Sequence, residues 1–345
     1  MFWVLLATFL PVTTALQWTD SLTNNTVMTV CSASDIHLPW NFTLSRDERI
    51  EDIKWVYRAE DGSEELIAIL AAGHFNPLPA FSGRVQWTGQ GGVVVSQAGV
   101  AESGYYTVMV STEDVPNHLL MFSKSVHVLV NGSAANCVDW LKLDPRSGIR
   151  TVCISGDPIT VYCDQTTDIG GWIVFQRRQD ASVDFYRNWT EYRNGFGDLE
   201  GNFWLGLDAL HNLTTSRRYQ LRVDLKMWNE TQGYATYSGF YVEGSDNNFT
   251  LHFDNFTGGN AGDSLSYHRG QQFSTKDRDH DPSSRNCAQV THGAWWYSNC
   301  HLSNLNGDYK TSSSAPNLDG LRWYTFGRRS SYSMKFTEMK IRPII

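Results

Sequence analysis

Gly293-Ala-Trp-Trp-Tyr-Ser-Asn-Cys-His-Leu-Ser-Asn-Leu-Asn-Gly307 sets the character of the larger half of this protein. Aromatic residues stand beside glycine, asparagine and a cysteine, a mixture that reads as irregular, loop-rich structure. The same texture of Gly, Asn, Asp, Trp and Tyr begins at Cys137 and runs to the end. Upstream the texture differs. Val27-Met-Thr-Val-Cys31, Ile53-Lys-Trp-Val-Tyr57, Gly92-Val-Val-Val95, Tyr105-Tyr-Thr-Val-Met-Val110 and Val126-His-Val-Leu-Val130 are rich in β-branched and aromatic residues. Turn signals at Asp61-Gly62 and Ser82-Gly83 separate them, a pattern that predicts a two-sheet β-sandwich over residues 17–130. The small, polar stretch 131–136 reads as a linker to a second domain at 137–345.

At 345 residues, two domains are expected. Acidic residues number 36 against 28 basic, a net charge of −8, which argues against nucleic-acid binding because no basic excess is available to neutralise phosphates. Thirteen tryptophans supply ample apolar surface for a core and exclude disorder. The apolar run from Met1 to Ala15 ends in small residues and reads as a secretory signal peptide. No later segment approaches the ~20 apolar residues of a membrane span; Leu66-Ile-Ala-Ile-Leu-Ala-Ala72 is short and reads as a buried strand. A secreted, extracellular protein is expected. Eight Asn-x-Ser/Thr sequons, at Asn24, Asn41, Asn131, Asn188, Asn212, Asn229, Asn248 and Asn255, agree with that compartment as candidate glycan sites. Six cysteines there should mostly be paired.

Glu102-Ser-Gly-Tyr-Tyr-Thr-Val108 resembles the Asp-x-Gly-x-Tyr-x-Cys signature of immunoglobulin domains. In that resemblance Tyr106 makes the corner hydrogen bond, Cys31 takes the place of the first core cysteine and Trp55 that of the core tryptophan. Val108 stands where the second cysteine belongs, so the usual inter-sheet disulfide cannot form. From Cys137 onward, Gly171-Trp-Ile-Val-Phe-Gln-Arg-Arg178, Phe203-Trp-Leu-Gly-Leu207, Ala261-Gly-Asp-Ser-Leu265, Asn286-Cys-Ala288, the opening stretch and Glu338-Met-Lys-Ile-Arg342 occur in the order of fibrinogen C-terminal domains, which the segment resembles. The expected architecture is an all-β immunoglobulin-like sandwich followed by an α+β, loop-rich fibrinogen-like domain. This pairing is similar to mollusc fibrinogen-related lectins and, in its second half, to ficolins.

The resemblance implies disulfides Cys137–Cys163 and Cys287–Cys300. Cys31 and Cys153 are left over, with three outcomes: a bridge to each other, an interchain bridge, or free thiols. A buried free thiol is favoured for Cys31, with Cys153 then the candidate for a dimer bridge. Lys276-Asp-Arg-Asp-His-Asp-Pro-Ser-Ser-Arg-Asn-Cys287 places carboxylates at alternate positions, so that Asp279 and Asp281 point to one side of an extended loop. By the resemblance, these two and the carbonyls of Ser283 and Arg285 form a Ca²⁺ site, with Asp277 nearby but not a ligand and His280 facing away. The resemblance also implies a ligand pocket beside the ion, at a cis Asn299–Cys300 peptide, where the amides of Cys300 and His301 receive an acetyl carbonyl. The aromatic methyl cup of acetyl-binding relatives falls here on Thr291, Asn317 and Ser330, all small or polar, so acetyl specificity is not expected.

The expected function is calcium-associated recognition of glycans on microbes or parasites in innate immunity, with homo-oligomers supplying avidity. The alternative is a module for a protein or glycoprotein ligand, with structural calcium, as in angiopoietin-like proteins. An enzyme is not expected: there is no His-Glu-x-x-His motif, no Gly-x-Ser-x-Gly elbow and no phosphate loop. A clotting subunit would need a coiled coil, and no heptads are present.

Overall fold

The computed structural model describes residues 16–344 apart from 47, 115–117, 133 and 328–330. The expected leader, residues 1–15, and Ser330 lie outside the described residues. Among the described residues no helix is long and apolar enough to cross a membrane. The protein divides into two compact units, 1–133 and 134–345. Residues 134–136, read from sequence as linker, fold with the second unit. The Ala134 carbonyl accepts from the Cys153 amide at 2.9 Å, and the Asn136 side chain caps the helix Cys137–Leu143 by accepting from Val138 and Asp139.

The first unit is strand-rich. Thr26–Cys31, His118–Asn131, Gly104–Asp114, Arg49–Ala59, Glu64–Ala71 and His74–Pro77 form one sheet in that order; Ile36–Leu38, Gly92–Val95 and Val85–Gly89 form another. Pairing is antiparallel except for Thr26–Cys31, which runs parallel to His118–Asn131. Alternation decides the faces: Ile53, Trp55 and Tyr57 are buried while Lys54 and Val56 are partly exposed. Trp55 and Val108 are register partners and both fully buried. The Tyr106 hydroxyl donates to the Glu102 carbonyl at 3.0 Å.

No cysteine is free among the described residues. The expectation of a buried Cys31 thiol is corrected, because Cys31 and Cys153 are both disulfide-bonded. Cys31 is only 2% exposed, but it closes its strand instead of sitting mid-strand within the sandwich. In an oxidising compartment such a thiol is expected to be paired.

The second unit is built on one antiparallel sheet with the strand order Gly148–Ile154, Asp157–Asp164, Trp172–Arg178, Phe336–Pro343, Tyr219–Lys226, Gln232–Val242 and Leu251–His252. The last of these strands in sequence therefore lies mid-sheet, and closure waits for residues 336–343. The helix Leu207–Ser216 buries Leu207, Leu210, Leu213 and Thr214 along one face. Cys137 is bonded to Cys163, and Cys287 to Cys300.

Trp172–Arg178 is buried at every position. Its polar residues connect the sheet to its surroundings. Arg177 pairs with Glu338 at 2.6 Å, while the Gln176 amide and the Arg178 guanidinium donate to the Leu305 carbonyl at 2.8 and 3.3 Å. Arg178 also donates to the Gly307 carbonyl at 2.7 Å, anchoring the loops that follow Cys300.

Candidate recognition site around the Cys287–Cys300 loop

The loop starts at a short helix, Cys287–Val290, capped by Asn286, whose side chain accepts from Gln289. It ends at the Asn299–Cys300 peptide, which is cis. Behind it lies a buried polar network. The Tyr297 hydroxyl donates to Asn304 Oδ1 at 2.8 Å, and the Thr291 hydroxyl lies 2.8 Å from the Cys287 carbonyl and 3.0 Å from the Tyr297 oxygen. Gly293 makes this closure possible: a Cβ there would come within 2.8 Å of the Tyr297 hydroxyl and 2.9 Å of Asn304 Oδ1. Trp295 and Trp296 are fully buried beside it.

His268 positions the segment after the cis peptide. Its ring is fully buried, Nδ1 donates to the Trp296 carbonyl at 2.7 Å, and Nε2 accepts from the amides of Leu302 at 3.2 Å and Ser303 at 3.1 Å. Burial pushes its pKa down to about 4, which keeps Nε2 an acceptor. His301 is held similarly, with Nε2 donating to the Leu318 carbonyl at 3.1 Å and Nδ1 3.3 Å from Arg322 Nη1. Burial, aided by the Arg322 charge, pushes its pKa down to about 3. Arg322 is 8% exposed, donates to the His301 carbonyl at 3.1 Å and has no carboxylate partner among the described residues. Two half-exposed tyrosines are tied to the same segment. The Tyr267 hydroxyl donates to the Asn299 carbonyl at 3.0 Å, and the Tyr324 amide donates to the Leu302 carbonyl at 3.0 Å.

Of the positions matched to a methyl cup, only Thr291 and Asn317 are described. Thr291 is 3% exposed and its hydroxyl is occupied in the network, Asn317 is exposed, and Ser330 is outside the described residues. Tyr297 is fully buried, and Phe326 and Tyr332 contribute to a different cavity. Sequence reasoning missed His268, Arg322 and Tyr267. His268 follows Asp263-Ser-Leu265 closely, so the motif pointed to its neighbourhood, but its two backbone donors are more than thirty residues away.

The acidic loop leads into the same helix. Asp277 accepts from the Trp189 amide and the Thr275 hydroxyl, so it is occupied in packing the loop. His280 turns away, its Nδ1 donating to the Phe273 carbonyl at 2.7 Å and its ring meeting Trp189 edge-on. Asp281 Oδ2 accepts from the Cys287 amide at 3.0 Å and Oδ1 from the Ser283 amide at 3.0 Å; Asp279 Oδ1 accepts from the Asp281 amide at 3.2 Å. Burial and the Asp279 carboxylate push the pKa of Asp281 up to about 6. Two adjacent carboxylates, one half-buried, together with loop carbonyls form an all-oxygen donor set that fits a hard cation. No group of three or more His, Cys, Asp or Glu is gathered for a metal among the described residues, so backbone carbonyls would have to complete the set.

The family model described as fibrinogen beta and gamma chains, C-terminal globular domain, matches residues 134–344. Chicken tenascin-R is 39% identical over 302 residues, 85% of this protein and 20% of that one; the sequence thus spans about a fifth of the relative. Among solved structures, the fibrinogen-like globe domain of human ANGPTL2 aligns with a TM-score of 0.59 at 40% identity, covering 61% of this protein and 99% of the domain. A lamprey fibrin D-dimer complexed with the peptide Gly-His-Arg-Pro-amide aligns with a TM-score of 0.58 at 31% identity, over 61% of this protein and 74% of that one.

Proposed function

The protein belongs to the fibrinogen C-terminal domain family, and on that premise we propose that it is a secreted, non-enzymatic recognition protein. Its fibrinogen-like unit binds a protein or glycoprotein ligand at the surface beside the Cys287–Cys300 loop. The observation that carries this reading is the burial of Thr291: its hydroxyl is spent on Cys287 and Tyr297, so no acetyl cup is built from it. The lamprey relative was solved with a peptide ligand, which supports a peptide as occupant.

Calcium is part of the proposal. Asp279, Asp281 and the carbonyls of Ser283 and Arg285 would hold it, and the ion would neutralise the facing carboxylates and stiffen the entry to Cys287. The first unit is read as immunoglobulin-like, supported by the Tyr106 corner bond and buried Trp55, and serves to space the module or to engage a second partner. Recognition of glycans on microbes or parasites by homo-oligomers is the second reading. Half-exposed Tyr267 and Tyr324, on which a sugar ring can stack, favour it.

Competition separates the two. The full-length protein, immobilised in calcium, is offered a panel of glycoproteins before and after enzymatic deglycosylation. Retention of binding after deglycosylation is expected. Loss of it, with elution by N-acetylated sugars, would sink the protein-ligand reading and restore the lectin.

A further inference from the structure

A cavity of about 700 Å³ opens elsewhere on the second unit and shares no residue with the recognition surface above. One wall is the turn Met227–Thr231, closed by the Met227 amide donating to Thr231 at 2.9 Å and the Glu230 amide donating to Met227 at 3.0 Å. The other is aromatic. The Tyr332 hydroxyl accepts from the Trp228 amide at 3.1 Å, joining the walls. Phe326 packs closely on the sheet because residue 233 is glycine; a Cβ there would stand 2.6 Å from its ring.

Three polar groups at this cavity are unspent. Trp228 Nε1 is buried without a hydrogen-bond partner, and the hydroxyls of Thr231 and Ser313 make no hydrogen bond among the described residues. Asn260 is a fixed part of the rim, its Oδ1 accepting from Tyr234 and its Nδ2 donating to Gln232. No charged side chain lines the cavity among the described residues. Glu230, close by, is paired with both Lys226 and Lys335.

We propose that this cavity binds a neutral saccharide. A pyranose ring has apolar C–H faces and a hydroxyl edge. The aromatic wall matches the first and the free hydroxyls and indole N–H the second, while among the described residues no lining side chain gives an ionised ligand a counter-charge. The volume falls within the roughly 300–1,000 Å³ of ordinary ligand sites and accommodates a disaccharide. The sugar has two available sources. Asn229, exposed on the rim, heads the sequon Asn229-Glu-Thr231, so the core of a glycan attached there would lie at the opening; a glycan from another molecule would present the same chemistry.

The test uses the full-length protein with Asn229→Gln, which removes any sugar of its own. It is titrated calorimetrically with N,N′-diacetylchitobiose and, in parallel, with glucuronic acid. Chitobiose is expected to bind, and Ser313→Leu, which fills the rim, is expected to weaken it at least tenfold. The Trp228 indole N–H resonance should shift on titration, a readout that does not depend on that variant folding well. In the unsubstituted glycosylated protein, a tenfold loss of chitobiose affinity assigns the site to the Asn229 glycan, and unchanged affinity assigns it to an external one. Absence of chitobiose binding to the Asn229→Gln protein, binding insensitive to a well-folded Ser313→Leu, or tighter binding of glucuronic acid overturns the proposal.

Discussion

Acidification should loosen the second unit through His268, and the size of the effect follows from its surroundings. The ring is fully buried and its Nε2 accepts two backbone amides, so the folded protein holds it neutral down to about pH 4. An unfolded histidine takes up its proton near 6.5. Above 6.5 both states are neutral and nothing is lost. As pH falls from 6.5 toward 4, only the unfolded state gains the proton, so stability declines. The total is about 3 kcal/mol for the site, with a limiting slope of about 1.4 kcal/mol per pH unit. His301, pushed down to about 3, adds a second proton of the same sign. The assay is equilibrium urea unfolding of the full-length protein between pH 7.5 and 4, following the second unit by tryptophan fluorescence, for the native sequence and His268→Gln. The glutamine carbonyl can still accept from Leu302 and Ser303 but cannot titrate. The variant should start less stable, having lost the bond to Trp296, and its stability should fall more shallowly by about one proton. Equal pH slopes in the two proteins would refute the assignment of His268 as a neutral double acceptor.

Other outcomes follow from the same structure. Lys340 is 2% exposed and its ammonium contacts Asp164 at 2.7 Å, Asp224 at 2.9 Å and Glu338 at 2.7 Å; Lys340→Met strands these carboxylates and should cost about 3–5 kcal/mol in urea unfolding. Calcium at a hundredfold excess over its Kd should stabilise the second unit by about 2.7 kcal/mol in thermal unfolding, and Asp281→Asn should abolish the calcium-dependent part of the shift. Thr291→Val removes a buried hydroxyl and should cost about 1–3 kcal/mol without changing ligand affinity in a direct binding assay, because the hydroxyl faces the interior. Tyr106→Phe should cost about 1 kcal/mol, confined to the transition of the first unit, for the lost bond to Glu102.

Much of the fold was legible because local chemistry dictates it. Period-2 runs such as Ile53–Tyr57 and Tyr105–Val110 became strands. Where expectation and structure part, a long-range partner is responsible. Ala134 and Asn136 looked like linker until Cys153 and the helix at Cys137 claimed them. Thr291 looked like a pocket wall in a count along the sequence, but its orientation follows from Tyr297 and Asn304. Arg322 drew no attention because a lone arginine in sequence carries no sign of whether an acid will face it.

The amino-acid sequence by itself determined the family, the ordered motifs, the alternation that buries one face of each strand and the acidic residues of the loop before Cys287. These are set by neighbours within a few positions, which backbone geometry makes predictable. Only the tertiary structure decided which polar groups are spent and which remain available. His268 is consumed by two amides more than thirty residues away, Thr291 by a tyrosine that also binds Asn304, while Trp228 Nε1 is buried without a partner. Hydrogen-bond saturation is a property of the packed molecule, since a buried donor or acceptor is satisfied by whatever the fold brings to it.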